Sequence, residues 1–468
     1  MKLLICSPSG AIVGGVETIV NDLCRELPKR GWEAILALGN GTRFNNVDAY
    51  RSAYPDLPII EIDGTKGSRQ ARFESLAGLV EHMRPDVVLS ARIFDAYEVV
   101  TEYKRYQPNL RLAITIQAYE PHYLYDARKY RGSIDSCVTS GELIRNACIQ
   151  WADLAEDRVV SIPGGVSLPT IPVSPRRPRS PIRIGYVGRL DQEQKRILDF
   201  EPFLIELDQK SINYTIDVIG TGPCEMELSQ KLAGWVANGR AKFHGWQSKE
   251  RLYREIFPNM DCFIHFAHTE GITIAPREAM AHGVVPVISE FTGIHAEQHF
   301  VHEKNSLLFP VSDMKSAAAG ISRLISEEGL LQRLSQNALA SQRDKYTFSG
   351  SFDAWAEAFD RCVNEPAMMG PVPKLNYAPD GRLTRLGLSP RIAQRVRDVL
   401  GRRHIHEDSG SEWPTGSGLM DSLAAEEILR FARDNESRAR RIRSDEDSSS
   451  THNDSAAILK NLINPPTI

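Results

Sequence analysis

Short apolar runs alternate with amphipathic stretches along the first 365 residues of the chain. The run "KLLIC" is followed by the loop "SPSGAIVGG", by apolar residues at helical spacing (Val16, Ile19, Val20, Leu23 and Leu27), and by a second apolar run, "WEAILALG". This order is strand, loop, helix, strand. It recurs downstream through "DVVLSA", "LRLAITIQ" and "DRVVSIPGGV". The pattern predicts an α/β protein in which helices cover both faces of a parallel sheet.

The segment "SPRRPRSP", residues 174–181, interrupts the pattern with three prolines and three arginines, and we interpret it as an extended linker. A second α/β series then runs from "IRIGYVGRL" through "DCFIHFA" and "VVPVIS". A length of 468 residues favours more than one domain. We therefore predict domains at 1–173 and 182–345, followed by a helix within 346–365.

The character of the chain changes after about residue 370. The stretch from Arg382 to Arg403 is basic and partly amphipathic, "HEDSGSEWPTGSG" is rich in turn residues, and "RARRIRSDEDSSSTHNDS" is a tract of charges and serines. We predict that 371–468 is an appendage of low order. Its basic stretch could bind an anionic membrane surface, although a solvated helix face is the more common explanation of such a pattern.

Overall composition excludes several classes of function. A net charge of −4 gives no reason to expect nucleic-acid binding. The seven cysteines lie far apart without a C-x-x-C pair, as suits a reducing cytosol. The opening "MKLLIC" is too short an apolar run for a signal peptide, and no stretch approaches the roughly 18 apolar residues of a membrane span. We predict a cytoplasmic protein that could dock on the inner face of the plasma membrane.

Two loops carry residues suited to binding an anion. Gly14 and Gly15 precede the first helix, where backbone N–H groups can approach a phosphate, although a tight turn explains two glycines equally well. Arg189 and Lys195 follow the first strand of the second series, at the sheet edge where open α/β folds bind ligands. Two cations there would stabilise a departing diphosphate, and a solvent-facing basic helix start is the alternative.

The stretch "HTEGITIAPREAMAHG" adds a pair of carboxylates eight positions apart, Glu270 and Glu278. The proline and the final glycine predict a helix that starts shortly after Glu270 and contains Glu278. Backbone N–H groups of Gly271, Ile272 and Thr273 would then meet an anion, while the carboxylates accept hydrogen bonds from sugar hydroxyls. The alternative is an ordinary helix whose acidic residues favour its positive end.

Taken together, five motifs occur in an order that identifies a family: "GGVE", "SIPGGV", Arg-x5-Lys after "GRLD", "VIGTGP" and E-x7-E. They resemble the retaining glycosyltransferases of the GT-B fold, and within these the large family 4, also called glycosyltransferase group 1, which uses nucleotide-sugar donors. The resemblance covers roughly residues 1 to 365. It implies two Rossmann-like, doubly wound domains that face each other across a cleft, with the acceptor on the first and the donor on the second.

The resemblance also implies roles for individual residues. Glu270 would contact the transferred sugar near its reacting end, and Glu278 the ribose hydroxyls. Arg189 and Lys195 would hold the diphosphate, assisted by the N–H groups of Gly271, Ile272 and Thr273, with Gly14 and Gly15 closing on it. Trp246 and Gln247 would touch the nucleotide base. No metal or other cofactor is implied, and helix 349–364 would cross back onto the first domain.

In two places the sequence departs from the common family pattern. Gln117 stands where many members have a histidine, and "TIQAYEPHY" resembles the Q-x-Y-E-P pattern of a branch that includes rhamnosyltransferases. Gln117, Glu120 and His122 are therefore candidates for the sugar or acceptor contact, although a surface loop explains His122 more readily. The second departure is "EGITI", where the family usually has an aromatic residue after the glycine; Ile272 and Thr273 could reshape the sugar pocket.

We therefore expect an enzyme that transfers a sugar from a nucleotide-diphosphate-sugar to a glycan or lipid-linked acceptor, with retention, in cell-surface polysaccharide biosynthesis. Two alternatives remain open. One is a sugar-nucleotide epimerase or hydrolase of the same fold, against which the combination of E-x7-E and Arg-x5-Lys argues. The other is a non-catalytic nucleotide-sugar-binding protein, which the missing histidine makes conceivable.

Overall fold

A computed structural model describes residues 1–10, 14–41, 45–170, 172–270, 273–343, 347–373, 380–404, 413–414, 420 and 422–441. Contacts divide the chain into two units. Unit 1 comprises Met1–Val173, Gly271–His282 and Leu339–Ile428, and unit 2 comprises Ser174–Glu270, Gly283–Ala338 and Leu429–Ile468.

Unit 1 is built on a parallel sheet of seven strands. These are β1 (Lys2–Pro8), β2 (Glu33–Asn40), β3 (Ile59–Asp63), β4 (Val87–Ser90), β5 (Arg111–Ile116), β6 (Ser136–Thr139) and β7 (Val159–Ser161), in the order β3-β2-β1-β4-β5-β6-β7. The helices between them are α1 (Gly15–Glu26), α2 (Val47–Ala53), α3 (Arg69–Met83), α4 (Asp95–Tyr103), α5 (Pro121–Lys129) and α6 (Glu142–Gln150). Sequence periodicity predicted this alternation but missed α2, β3, α4 and α5.

Unit 2 repeats the plan with a parallel sheet of six strands. These are β8 (Ile182–Val187), β9 (Tyr214–Ile219), β10 (Ala241–Gly245), β11 (Cys262–His265), β12 (Val285–Ser289) and β13 (Leu307–Phe309), in the order β10-β9-β8-β11-β12-β13. The helices that follow in the chain are α7 (Phe200–Gln209), α8 (Glu225–Lys231), α9 (Ala233–Ala237), α10 (Lys249–Arg251), α11 (Ile274–Ala281), α12 (Ile294–Glu297), α13 (Met314–Ser326) and α14 (Leu330–Arg343). The predicted α/β class with doubly wound parallel sheets is confirmed.

Between these elements run shorter helical turns: 3-10 turns at Leu27–Arg30, Glu156–Arg158, Ile197–Asp199 and Phe257–Asn259, and a π-helical turn at Leu252–Ile256. In both units the strands are buried apolar runs whose sheet faces are covered by helices. Sheets of this kind bind ligands at the carboxyl ends of the strands, where the order reverses beside the first strand.

Helix α15 (Phe348–Asn364) completes the core of unit 1. Its Phe359 ring lies 5.6 Å from the ring of Trp32, and the Trp32 indole N–H donates to Asp360 at 3.0 Å. The guanidinium of Arg111 donates to the carbonyl of Cys362 at 3.0 Å, near the end of the same helix. The late helix is therefore an integral part of the first sheet's packing.

The segment expected to have low order, 371–468, lies in large part outside the described residues. The described part forms helices α16 (Gly381–Arg385), α17 (Pro390–Val399) and α18 (422–441). Trp413 is buried in unit 1, where its indole N–H donates to Asp95 Oδ2 at 2.7 Å, an oxygen that also accepts from Arg72 Nε at 2.9 Å. Its ring fills the space beside Gly39, where any Cβ would lie 2.2 Å from it.

Candidate active site

Glu270 lies at the carboxyl edge of the second sheet, in the loop that follows β11. The strand ends at His265, and α11 begins at Ile274 with Pro276 in its first turn, where a missing N–H costs nothing. The helix stops before Gly283, whose φ of 75° is the left-handed conformation that glycine adopts freely. The predicted helix and its two boundaries are therefore present.

Two side chains converge on the Glu270 carboxylate. Lys195 Nζ donates to Glu270 Oε1 at 2.5 Å, and His265 Nε2 lies 2.7 Å from the same oxygen. The side chain of Glu270 is 3% exposed, that of His265 4% and that of Lys195 18%. Among the described residues, no hydrogen-bond donor reaches Oε2, the second oxygen. The cluster holds a buried carboxylate in place through Oε1.

Electrostatics keep this carboxylate ionised. Burial raises the pKa of Glu270, but the charge of Lys195 and the hydrogen bond from His265 outweigh it and lower the pKa to about 2. Burial lowers the pKa of His265 below its ordinary value, against the attraction of Glu270. A neutral imidazole beside a carboxylate must carry its proton on Nε2 and donate it. The site at neutral pH is thus a carboxylate held by an ammonium group and a neutral imidazole.

His265 was missed by sequence reasoning. His265 is the last residue of the buried run "CFIH", where a histidine is readily interpreted as a core residue. Its Nδ1 is buried and has no hydrogen-bond partner among the described residues, while its ring stacks on Tyr186 with centroids 6.2 Å apart. The available signal was a titratable residue at the carboxyl end of a strand, five positions before a candidate catalytic glutamate.

Arg189 lies in the loop after β8, on the same edge of the second sheet. Its Nε donates to Asp191 Oδ2 at 2.7 Å and one of its amino groups donates to Gln194 at 3.0 Å, yet the side chain is 61% exposed. The other oxygen of Asp191 accepts the backbone N–H of Gln194 at 2.9 Å and of Lys195 at 3.4 Å. Asp191 therefore fixes the loop that presents both predicted cations.

The glycines of "VIGTGP" pack that loop against its neighbour. Gly220 has a φ of 132°, and a Cβ there would lie 1.9 Å from the carbonyl oxygen of Gly188. A Cβ on Gly222 would lie 2.4 Å from the carbonyl oxygen of Leu190. Backbone hydrogen bonds from Leu190 to Thr221 and from Cys224 to Leu190, each 3.0 Å, join the two loops. These glycines are required because two backbones touch, which keeps the Arg189 loop rigid.

For Glu278 and Thr273, which are also predicted to bind the donor, the structure shows the position in the fold. Glu278 is buried in the second turn of α11, which contacts assign to unit 1, whereas Glu270 belongs to unit 2. Thr273 is buried at the N-cap of α11. Gly271 and Ile272 lie outside the described residues. The roles proposed for these four residues stay predictions.

The predicted base contacts follow β10. The Trp246 indole is exposed on the loop, as a stacking surface would be. The Gln247 amide is already engaged, since its Nε2 donates to the carbonyl of His244 at 2.5 Å and its oxygen accepts from Arg251 at 2.7 Å. Its side chain holds the loop in this structure, and its contact with a base stays a prediction.

In unit 1, Gly14 and Gly15 begin α1 as predicted, but a carboxylate of the chain itself faces them. Glu17 is buried in the first turn and ion-paired with Arg92, which follows β4 with a φ of 72°. A Cβ on Gly14 would lie 2.1 Å from a Glu17 oxygen, whereas nothing lies within 4 Å of a Cβ on Gly15. No motif or spacing in the sequence indicated this ion pair.

The Q-x-Y-E-P stretch follows β5 in unit 1. Gln117 is buried: its Nε2 donates to the Thr115 hydroxyl, and its Oε1 has no hydrogen-bond partner among the described residues. Glu120 is exposed at the N-cap of α5, and the ring of His122, in the first turn of α5, lies 4.2 Å from that of Tyr123. Tyr119 donates to the carbonyl of Ile428 at 2.8 Å. Sugar or acceptor contacts of these residues stay predictions.

Within the described ranges, no group of three histidine, cysteine, aspartate or glutamate side chains is arranged to hold a metal ion. The expectation of a metal-free reaction rests on the family resemblance and stays a prediction. None of the helices in the same ranges is long and apolar enough to cross a membrane.

Residues 181–327 match a family model described as Glycosyl transferases group 1. The match spans β8 to the end of α13 and includes Arg189, Lys195, His265 and Glu270. No curated protein matches the chain in sequence.

Solved structures match over a larger part of the chain. The lipopolysaccharide outer core galactosyltransferase WaaB in its apo form aligns with a TM-score of 0.61 at 16% identity, over 77% of this chain and 99% of its own. Anabaena Alr3699/HepE in complex with UDP aligns with a TM-score of 0.62 at 17% identity, over 77% and 100%. The pneumococcal O-GlcNAc transferase GtfA in complex with UDP and GlcNAc aligns with a TM-score of 0.63 at 13% identity, over 78% of this chain and 99% of its own.

The chain has the GT-B fold. Its two parallel sheets match those of the GT-B glycosyltransferases, and roughly a fifth of the chain has no counterpart in the three proteins. The GT-B fold and the group 1 match together support a transferase that moves a sugar.

Proposed function

We propose that this chain is a glycosyltransferase that moves a sugar from a nucleotide-diphosphate-sugar to a hydroxyl group of a glycan or glycolipid. The Lys195–Glu270–His265 cluster supports this proposal most strongly. The cluster brings a cation and a carboxylate that is ionised at neutral pH together at the carboxyl edge of the second sheet, where sheets of this kind bind ligands. The exposed guanidinium of Arg189 lies on the loop that also carries Lys195.

Arg189 and Lys195 stabilise the negative charge that develops on the diphosphate when the bond to the sugar breaks. Lys195 is shared between Glu270 and the leaving group, so the ion pair of the free protein orients it in advance. Glu270 uses its second oxygen to bind a sugar hydroxyl near the reacting carbon, and its negative charge stabilises an oxocarbenium-like state. Glu278 binds the ribose, and Trp246 stacks on the base.

Further details rest on the family resemblance. The reaction retains the anomeric configuration without an enzymic nucleophile, as in family 4, and needs no metal because cations and backbone N–H groups serve the leaving group. Gly14 and Gly15 of unit 1 also serve the diphosphate, and Gln117, Glu120 and His122 contact the sugar or acceptor. UDP is the first nucleotide to test, since the Alr3699/HepE and GtfA structures contain it.

The setting proposed for this reaction is cell-surface polysaccharide biosynthesis in the cytoplasm, with the protein at the inner face of the plasma membrane. The Q-x-Y-E-P pattern makes a deoxysugar such as rhamnose a candidate for the donor sugar. Neither point affects the roles of Lys195 and Glu270.

Release of nucleotide from a panel of UDP-, GDP- and dTDP-sugars, with crude lipid and glycan acceptors, tests the proposal. One donor should be consumed with formation of a glycosylated product. Interconversion of sugar-nucleotides without transfer would favour the epimerase alternative, and binding without turnover would favour a non-catalytic binding protein. If no nucleotide-sugar is bound or consumed, the proposal is wrong.

A further inference from the structure

Helix α17 is packed with its polar face inward. Ala393, Gln394 and Arg397, which lie on one side of the helix, are buried. Gln394 Oε1 accepts from the hydroxyl of Ser68, the N-cap of α3, and Arg397 donates to the carbonyl of Asp380. Two polar side chains and Ala393 therefore attach α17 to the rest of unit 1.

The opposite side of the same helix exposes apolar side chains to solvent between charged ones. Ile392 is 53% exposed and Val399 is 87% exposed, and their spacing of seven residues puts them on one side of the helix. Leu400, just after the helix, is 61% exposed, and Leu386, just after α16, is 77% exposed. Single exposed apolar residues are common, but here four of them lie within fifteen residues, while the same helix buries Gln394 and Arg397. These exposed apolar side chains are suited to a partner that is not water.

The charges around these residues indicate the partner. Six arginines within residues 380–403 are exposed: Arg382, Arg385, Arg391, Arg395, Arg402 and Arg403. The same residues include two carboxylates. Asp398 pairs with Lys66 at 3.0 Å, and Asp380 accepts the backbone N–H of Arg69 at 3.0 Å. The exposed face of α16 and α17 therefore combines apolar tips with an excess of guanidinium groups.

We propose that this face, from Arg382 to Arg403, docks on a membrane surface that contains acidic phospholipids. Ile392, Val399 and Leu400 enter the region between headgroups and acyl chains, while the arginines bind lipid phosphates. A second copy of the same face would bring two sets of arginines together, which disfavours self-association through it. The polar contacts to Lys66, Ser68 and Arg69 attach the docked helix to unit 1.

The docking surface is independent of sugar transfer, because none of its residues belongs to the proposed site. It adds a physical reason for a lipid-linked acceptor, which would lie in the same membrane. Membrane binding can therefore be tested without knowledge of the donor or the acceptor.

Sedimentation of the full chain with vesicles measures the docking directly. Vesicles of phosphatidylcholine with phosphatidylglycerol should bind the protein, and pure phosphatidylcholine vesicles should bind it much less. High salt should weaken the binding, because it screens the arginines. Equal binding to both kinds of vesicle, or binding to neither, would overturn the proposal.

Two double variants separate the two parts of the surface. Arg395→Glu with Arg402→Glu should lower the vesicle partition coefficient by roughly 25-fold or more, since each basic residue near an acidic surface contributes roughly fivefold. Ile392→Asp with Val399→Asp should lower it by at least roughly tenfold through the loss of buried apolar area. All four side chains are exposed, so thermal unfolding should stay unchanged.

Matched controls lie in unit 2. Arg254→Glu and Val236→Asp alter exposed helical or near-helical positions elsewhere and should leave vesicle binding within about twofold. Equal losses in the controls and the test variants would overturn the assignment to α17. Sedimentation equilibrium provides a further check: a dimer that Val399→Asp abolishes would assign the face to a second copy. Nucleotide-sugar turnover with a soluble acceptor should stay unchanged in all these variants.

Discussion

The two units place an ion pair at the same position of their sheets, with the charges exchanged. In unit 1, Glu17 follows β1 and pairs with Arg92, which follows the adjacent strand β4. In unit 2, Lys195 follows β8 and pairs with Glu270, which follows the adjacent strand β11. In each pair the carboxylate is buried and the cation is slightly more exposed.

What distinguishes unit 2 is a further cation beside the pair. Arg189 keeps most of its side chain in solvent while Asp191 and Gln194 hold its position. At the corresponding turn of unit 1, Glu17 itself lies against Gly14. An accessible, oriented cation favours anion binding at the edge of the second sheet more than glycines at a helix N-terminus do at the edge of the first. The comparison favours the second sheet for the diphosphate.

Among the variants that compare the two ion pairs, the largest effect is expected from Lys195→Ala. It removes the contact that we propose to the leaving diphosphate, and it leaves the Glu270 carboxylate buried without its ammonium partner. Turnover should fall by roughly two to three orders of magnitude, and unit 2 should lose stability because a buried charge has lost its partner. Product formation and thermal unfolding measure the two effects. Near-normal turnover would remove Lys195 from the site.

Arg189→Ala and Arg92→Ala form a matched pair across the two units. Arg189→Ala should lower turnover by roughly two orders of magnitude with little change in stability, since its guanidinium is largely exposed. Arg92→Ala should leave turnover within roughly tenfold but destabilise unit 1, because Glu17 stays buried. If Arg92→Ala lowered turnover more than Arg189→Ala did, the diphosphate would be assigned to the first sheet.

These predictions depend on geometry that the sequence indicated only in part. The alternating apolar runs were sufficient to place Arg189, Lys195 and Glu270 at strand ends, because a parallel sheet gathers those ends on one edge. Periodicity did not indicate that the Lys195 ammonium group meets the Glu270 carboxylate. Glu17 and Arg92 are 75 positions apart and share no motif, so only the fold could pair them. Nothing in the turn-rich sequence around Trp413 indicated that its side chain would be buried.

His265 should make the stability of unit 2 sensitive to pH. Burial lowers its pKa in the folded state, so the unfolded chain takes up a proton first as the pH falls below the ordinary value of 6.5. Stability should therefore decline between about pH 7 and about pH 5. The contribution of the ionised Glu270 to stability is present above pH 4.5. It is lost only between pH 4.5 and about pH 2, as the pH falls through the lowered pKa of Glu270.

The variant His265→Gln isolates this effect, since a glutamine amide can still donate to Glu270. Its melting temperature should decline less than that of the unchanged protein between about pH 7 and about pH 5. His268→Gln, at an exposed histidine of the next loop, should leave the decline unaltered. Identical pH profiles for His265→Gln and the unchanged protein would show that His265 is not buried neutral.

The smallest effect is expected from Gly15→Ala in unit 1. Nothing lies within 4 Å of the added Cβ, so the folded protein accommodates it without strain. Nucleotide-sugar affinity should fall by a few-fold if phosphate oxygens approach the α1 N-terminus, since the methyl group would hinder them. An unchanged affinity in calorimetry would remove Gly15 from the donor site and leave the second sheet as the diphosphate site.

Glu270→Gln tests the central claim most directly. Glutamine keeps an oxygen for Lys195 and His265 but removes the negative charge that we assign to the reacting sugar. Turnover of the preferred nucleotide-sugar should fall by roughly three orders of magnitude, while the affinity for the free nucleotide diphosphate changes by less than about threefold. Turnover equal to that of the unchanged protein, with intact folding, would contradict the assignment of Glu270 as the catalytic carboxylate.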